Sequence, residues 1–199
     1  MTPFDFQESH HPMDLDAYYQ GRFRLYAYAR HALFDLLKQT GVKRLYLPWF
    51  ICRDILSAVN QLAIECFFYD TDDRLAPCLE NVRADAVLMV NYFGFPQMTA
   101  PFSDWCQRHN AFLIEDNAHG FLSRDTEGRL LGTRGDVGLF SFRKTVFLAN
   151  GSGLLVNNPA YQSLPFEPAV LKPGPEQTGH ARKRLLKKMI HALSPSLGM

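Results

Sequence analysis

Neither sign of charge dominates this 199-residue chain: 21 lysines and arginines face 20 aspartates and glutamates, a formal net charge of +1. No global field therefore draws it to nucleic acid or to an anionic membrane. No apolar run reaches the ~18–20 residues that a membrane helix requires, so no membrane insertion is expected. The opening MTPFDFQESHHPMD lacks a basic stretch followed by an apolar one, so no secretory signal is expected either. Cys52, Cys66, Cys78 and Cys106 form no CxxC pair and no zinc-type cluster. They are expected to be reduced and mostly buried, in a cytoplasmic protein. No GxGxxG or GxxxxGKS/T follows a predicted strand, which weighs against an unrelated doubly wound domain that binds a nucleotide. There is no repeat near the usual solenoid periods.

What is present is ordinary globular material, 47% hydrophobic and 21% charged. Sixteen Phe, eight Tyr and two Trp supply the bulk of a core. At ~150 residues per domain, the length fits one domain, or one and the beginning of a second. Apolar spacing predicts a helix from Phe23 to Leu37 with Gly41 as its stop, a strand from Val42 to Leu47, a helix from Arg53 to Leu62 and a strand from Ile64 to Tyr69. Ala86-Val87-Leu88-Met89-Val90 is continuously apolar, as in a strand buried on both faces. A helix over Phe102–His109 separates it from Phe112–Ile114, and Val137–Phe142 and Gly153–Val156 add two more strands. Strands alternating with helices at this spacing give an α/β fold, a mostly parallel sheet flanked by helices.

Residues 1–20 read as an irregular lead-in and 21–158 as the main domain. Five prolines between Pro159 and Pro175 mark 159–176 as a linker. Residues 177–199 then carry five basic and no acidic side chains, with Ala181, Leu185, Met189 and Leu193 on one helical stripe. Such a stripe more often packs on a neighbouring body than binds an anionic surface.

In open α/β sheets, sites gather at the carboxyl ends of the strands. Three such ends carry polar chemistry: Asn91-Tyr92-Phe93-Gly94, Glu115-Asp116-Asn117-Ala118-His119-Gly120 and Ser141-Phe142-Arg143-Lys144. Glu115 and Asp116 are consecutive in a strand and point to opposite faces, so they do not share a proton. Asp116 and His119 have no third metal ligand nearby, and a capping aspartate is the commoner explanation. Lys144 follows a strand beside a second cation, Arg143, a setting that favours a free, nucleophilic amine.

Taken in order, IEDNAHGFLS and GDVGLFSFRKTVFLANGSGLLV, with YFGFPQM, LPWFIC and ARHALFDLL upstream, resemble the DegT/StrS-type sugar aminotransferases. These are pyridoxal-phosphate enzymes of the aspartate-aminotransferase fold. The likeness covers roughly residues 20–157, and its most specific parts are the Asp-x-Ala-His element and the Gly-Asp-x-Gly-x-Phe-Ser-Phe strand leading to a lysine. The resemblance implies that Lys144 carries pyridoxal 5'-phosphate as a Schiff base and shuttles the proton, and that Asp116 pairs with the pyridinium nitrogen. It implies further that His119 faces the ring hydroxyl and Ser141 the phosphate. Arg30 and His31 lie at the opening of a helix, where the family has a small hydroxyl-rich turn for that phosphate. Trp49 and Phe50 offer an aromatic to stack on the ring. The implied substrates are an amino acid donor and a keto-sugar nucleotide, handled by a homodimer.

Two features depart from the family. The serine-to-lysine gap is three residues rather than five, and no Ser-Gly-Thr-Ser-like turn precedes Ala32. The family also has a small domain after the large one, so the chain reads as a large-domain fragment or a shortened relative, with 177–199 as the start of that domain. As it stands it is expected to be nearly inactive. A catalytically inactive remnant that dimerises or binds a partner is the alternative.

Overall fold

The computed structural model describes residues 14–21, 23–146, 148–168 and the single position 183. The basic stripe of Ala181, Leu185, Met189 and Leu193 lies outside the described residues. Eight strands form one sheet in the order β1-β8-β7-β6-β5-β2-β3-β4. They are β1 (Phe23–Tyr26), β2 (Arg44–Pro48), β3 (Glu65–Thr71), β4 (Pro77–Cys78), β5 (Ala86–Val90), β6 (Phe112–Asn117), β7 (Val137–Phe140) and β8 (Ser152–Val156). The central run β3-β2-β5-β6-β7 is parallel, while β8 is antiparallel to both β7 and β1. The α/β class with a mostly parallel sheet is therefore as expected.

The helices are α1 (Leu15–Tyr19), α2 (Ala29–Thr40), α3 (Arg53–Gln61), α4 (Ala100–His109), α5 (Phe142–Thr145) and α6 (Pro159–Gln162). Their apolar stripes cover both faces of the sheet. α2 and α3 bury Leu33, Leu36, Ile55 and Val59 against Leu45, Leu88, Ile114 and Leu139. On the other face, α4 places Phe102 and Trp105 against Tyr46, Val87, Met89 and Leu113. Strands buried on both faces carry near-continuous apolar sequence, which is why β5 reads as it does.

The differences from the sequence reading are local. Phe23–Tyr26 is a strand, not the start of a helix. Its apolar residues satisfy either period over so short a span, and pairing with β8 decides the outcome. Leu15–Tyr19 is helical within the stretch expected to be irregular. Asp14 caps it by accepting from the Ala17 N–H at 3.1 Å. Tyr19 then anchors it, packing edge-on to Phe23 and Phe140 at 5.1 and 5.3 Å. The strand expected to run to Phe142 ends at Phe140, and Phe142–Thr145 makes one helical turn. The first part of the linker is docked: Tyr161 and Phe166 pack on the core, and the Glu167 N–H donates to buried Asp35 at 2.7 Å. Of the four free cysteines only Cys106 is buried; Cys52 and Cys78 are exposed.

Gly138, in β7, faces the turn at Gly132 so closely that a Cβ there would collide with the Gly132 carbonyl. Gly138→Ala is expected to cost about 1–3 kcal/mol by overpacking, read as a lower urea midpoint. An unchanged midpoint would show that the turn yields.

Candidate active site

The carboxyl ends of β2, β5, β6 and β7 converge on two adjoining cavities. One, of about 440 Å³, is lined by Ala29, Arg30, Asp116, Ser141 and Lys144 among others. The second, of about 670 Å³, shares Asp116 and Lys144 and adds Phe50, Tyr92, Phe93 and His119.

Asp116 is the penultimate residue of β6. It faces the α2/α3 side, since Ile114 two residues earlier packs there. Its Oδ1 accepts from the Ala118 N–H at 3.0 Å. Burial pushes the carboxyl above the usual carboxylate range, against the opposing pull of that N–H and of the Lys144 charge. Lys144, in α5, is exposed, and its Nζ lies 2.9 Å from His119 Nε2. Partial burial, then the Lys144 charge, hold the His119 imidazole below the ordinary histidine value. Ser141 is buried at the head of α5.

The open N-terminus of α2 adds Tyr28, Ala29 and Arg30 to the first cavity. Backbone N–H groups at such a terminus have no intrahelical acceptor and favour an anion. The Arg30 guanidinium lies 4.3 Å from the centroid of the Tyr28 ring and 3.4 Å from Asp54. His31 is not brought to this place. It lines a separate cleft with Phe34, Asp35 and Lys38, because one step along a helix turns a side chain by about 100°. Burial and the Arg30 charge also keep it below the usual histidine value. Of the two aromatics after Pro48, Phe50 stacks on Tyr92 at 5.3 Å and lines the second cavity. Trp49 stacks instead on Phe68, at 4.4 Å.

Glu115 points the other way, as its register requires. Its side chain is fully buried against Arg134, with Arg134 Nη2 and Nε at 2.6 and 2.8 Å from Oε1. Arg134 also donates to Asn91 Oδ1 at 2.8 Å and to the Gln97 carbonyl at 3.0 Å. Asn91 closes the ring by donating to Glu115 at 2.9 Å. This network holds the 91–97 turn, where Phe93 sits in a left-handed conformation (φ 56°) with its ring parallel to that of His119 at 6.5 Å. Arg134, Tyr28 and Cys52 were not among the expected site residues. The one signal for Arg134 was Glu115 itself, an acid in a strand that is otherwise apolar up to that point. Among the described residues, no three His, Cys, Asp or Glu side chains are placed to hold a metal, and no helix is long and apolar enough to cross a membrane.

The DegT/DnrJ/EryC1/StrS aminotransferase family matches residues 57–163. The chain belongs to this family. Two relatives are a dTDP-4-dehydro-2,3,6-trideoxy-D-glucose 4-aminotransferase of Saccharopolyspora spinosa, 34% identical over 93 residues (43% of this chain, 24% of that protein), and a GDP-perosamine synthase of Vibrio cholerae, 35% identical over 80 residues (39% and 21%). Among solved structures, the fold is similar to a DegT/DnrJ/EryC1/StrS aminotransferase from Brucella abortus, with TM-score 0.65, 18% identity and coverage of 89% of this chain and 56% of that one. It is also similar to the Helicobacter pylori aminotransferase involved in pseudoaminic acid biosynthesis, with TM-score 0.64, 16% identity and coverage of 87% and 55%. This DegT-family chain thus spans little more than half the length of those structures. The fold is that of the family's aminotransferases.

Two outcomes follow from the geometry. Arg134→Ala leaves Glu115 buried without its counter-charge and is expected to destabilise by about 3–5 kcal/mol, measured by urea unfolding; a loss under 1 kcal/mol would show that water replaces the guanidinium. Asp116 has a raised folded pKa, so the unfolded chain ionises first and stability falls as pH rises from about 4 through the folded value. Without cofactor, Asp116→Asn should therefore be more stable than the parent at pH 7, with the gap closing towards pH 4. Equal urea midpoints at pH 7 would contradict this.

Proposed function

We propose that this chain forms the cofactor-bearing part of a pyridoxal-phosphate-dependent sugar aminotransferase that moves an amino group from an amino acid donor to a keto-sugar nucleotide. The observation that carries the reading is one cavity holding an accessible lysine amine, a fully buried carboxylate and an open helix N-terminus. The names of the relatives, a dTDP-keto-sugar aminotransferase and a GDP-perosamine synthase, support the substrate class.

The residues present fit the cofactor. Asp116 is an acid sunk in the floor with a raised pKa, and a cationic ring nitrogen is the partner that such a group lacks. Ser141, Arg30 and the first N–H groups of α2 suit a phosphate dianion. Phe50, stacked on Tyr92, offers an apolar wall. When bound, pyridoxal phosphate supplies an aldehyde and a ring that accepts the electron pair left when a carbon–hydrogen bond breaks. Asp116 keeps the proton on the ring nitrogen, so the ring stays an electron acceptor. Lys144 supplies the amine, takes the proton from the donor carbon and delivers it again. His119, on the wall of the second cavity, would face the ring hydroxyl.

Phe93, on the wall of the second cavity, and Phe95 and Met98 in the same turn are exposed apolar side chains. A second copy of the chain would cover them, which supports a homodimer. The free thiols support a reducing, cytoplasmic setting. In this reading residues 21–158 form the cofactor domain.

Incubation with pyridoxal phosphate followed by borohydride should fix the cofactor on a single peptide, the one containing Lys144. Labelling spread over surface lysines, or confined to another peptide, would overturn the assignment.

A further inference from the structure

His119 meets Lys144 across 25 positions of sequence, from the turn after β6 to the turn of α5, with Nε2 and Nζ 2.9 Å apart. We propose that His119 is the catalytic base for Lys144: its imidazole removes the protons that the amine must lose when it bonds to an aldehyde carbon. This deepens the reading given under Proposed function and rests on it for the identity of the aldehyde alone.

The surroundings favour that role. A neutral imidazole with its proton on Nδ1 accepts at Nε2, and both partial burial and the neighbouring ammonium keep this ring neutral. The backbone that carries the ring is closely packed. Phe93 lies parallel to the ring, and Gly94 approaches the His119 carbonyl so closely that a Cβ would collide there. The other charged and titratable groups lining the two cavities do not substitute. Arg30 and Arg143 offer no acceptor. Burial pushes the Tyr92 phenol up to about 12. Asp116 is committed to the Ala118 N–H in the floor, Asp54 faces Arg30, and Cys52 shares the wall of both cavities while the Nζ hydrogen bond is to His119.

In the step itself, the ammonium first yields one proton to His119 Nε2, which passes it to solvent; the freed Nζ lone pair then forms the carbon–nitrogen bond while the carbonyl pair moves onto oxygen. The two amine protons leave nitrogen in turn through His119 Nε2 and depart with that oxygen as one water, leaving a carbon–nitrogen double bond. Nothing is oxidised or reduced.

The test is the rate at which acetaldehyde with cyanoborohydride labels Lys144 in the full chain, read peptide by peptide between pH 5 and 9, with Lys43 as internal reference. A parallel arm uses pyridoxal phosphate in place of acetaldehyde. His119→Gln keeps a hydrogen-bond acceptor but cannot take up a proton; His119→Ala removes both functions. In each variant the Lys144 to Lys43 ratio should fall about tenfold or more, as expected for loss of a general base. The inflection that follows histidine protonation should vanish, and added imidazole should restore the rate in His119→Ala. An unchanged ratio and pH profile in both variants would overturn the proposal. If pyridoxal phosphate does not select Lys144 while the acetaldehyde ratio still falls, the cofactor reading fails and the role of His119 stands.

Discussion

The buried pair of Glu115 and Arg134 is the interaction on which the candidate site depends. It costs desolvation of two charges, and such pairs contribute little net stability compared with an apolar replacement. What it supplies here is geometry. The turn after β5 is tied by the Arg134 guanidinium to the loop before β7, and the turn after β6 joins the same network through Asn117, which accepts from Asn91 and donates to the Gly120 carbonyl. Each of these two turns carries a side chain into the second cavity: Phe93 and His119. Loops are normally the least fixed parts of a fold. A fully satisfied polar network beneath them gives these loops the definition of a core.

β6 consequently works as a partition. Asp116 serves the cavity on one face, and Glu115 and Asn117 brace the loops on the other; the Asn117 amide donates to the Gly120 and Leu131 carbonyls at 3.0 and 2.9 Å. Reactive and supporting carboxylates are adjacent in sequence yet separated by the thickness of a strand. They do not share a proton: Glu115 is paired with Arg134, and Asp116 accepts from the Ala118 N–H.

How much of this was legible depends on how local the cause is. β5 reads correctly to the residue because a strand buried on both faces needs nothing but apolar side chains. Asp116, Lys144, Ser141 and Arg30 were legible through ordered motifs, and the fold brings those four together at one cavity. The resemblance put His31 there together with Arg30, but helical rotation turns it into a separate cleft. Phe23–Tyr26 was misread because its period is ambiguous and its partner strand lies at the far end of the described chain. Arg134 was invisible because the signal is a pair. Neither member says anything about the other until the turn at Gly132 and the end of β6 are in register. Exposure of Cys52 was missed for a similar reason, since only the cavity makes a surface at the head of α3.

The edge pairing of β1 with β8 constrains the order in which the molecule is assembled. The ladder joins Phe23 to Leu155 and Tyr26 to Ser152, so closing it sacrifices the entropy of a loop comprising nearly the whole body. Contacts of such long sequence separation form late, after the local βαβ units have condensed. β1 leads directly into Tyr28 and Arg30, one wall of the first cavity. On a ribosome, that wall waits, exposed, until β8 emerges: this part of the site is made early and put in place late.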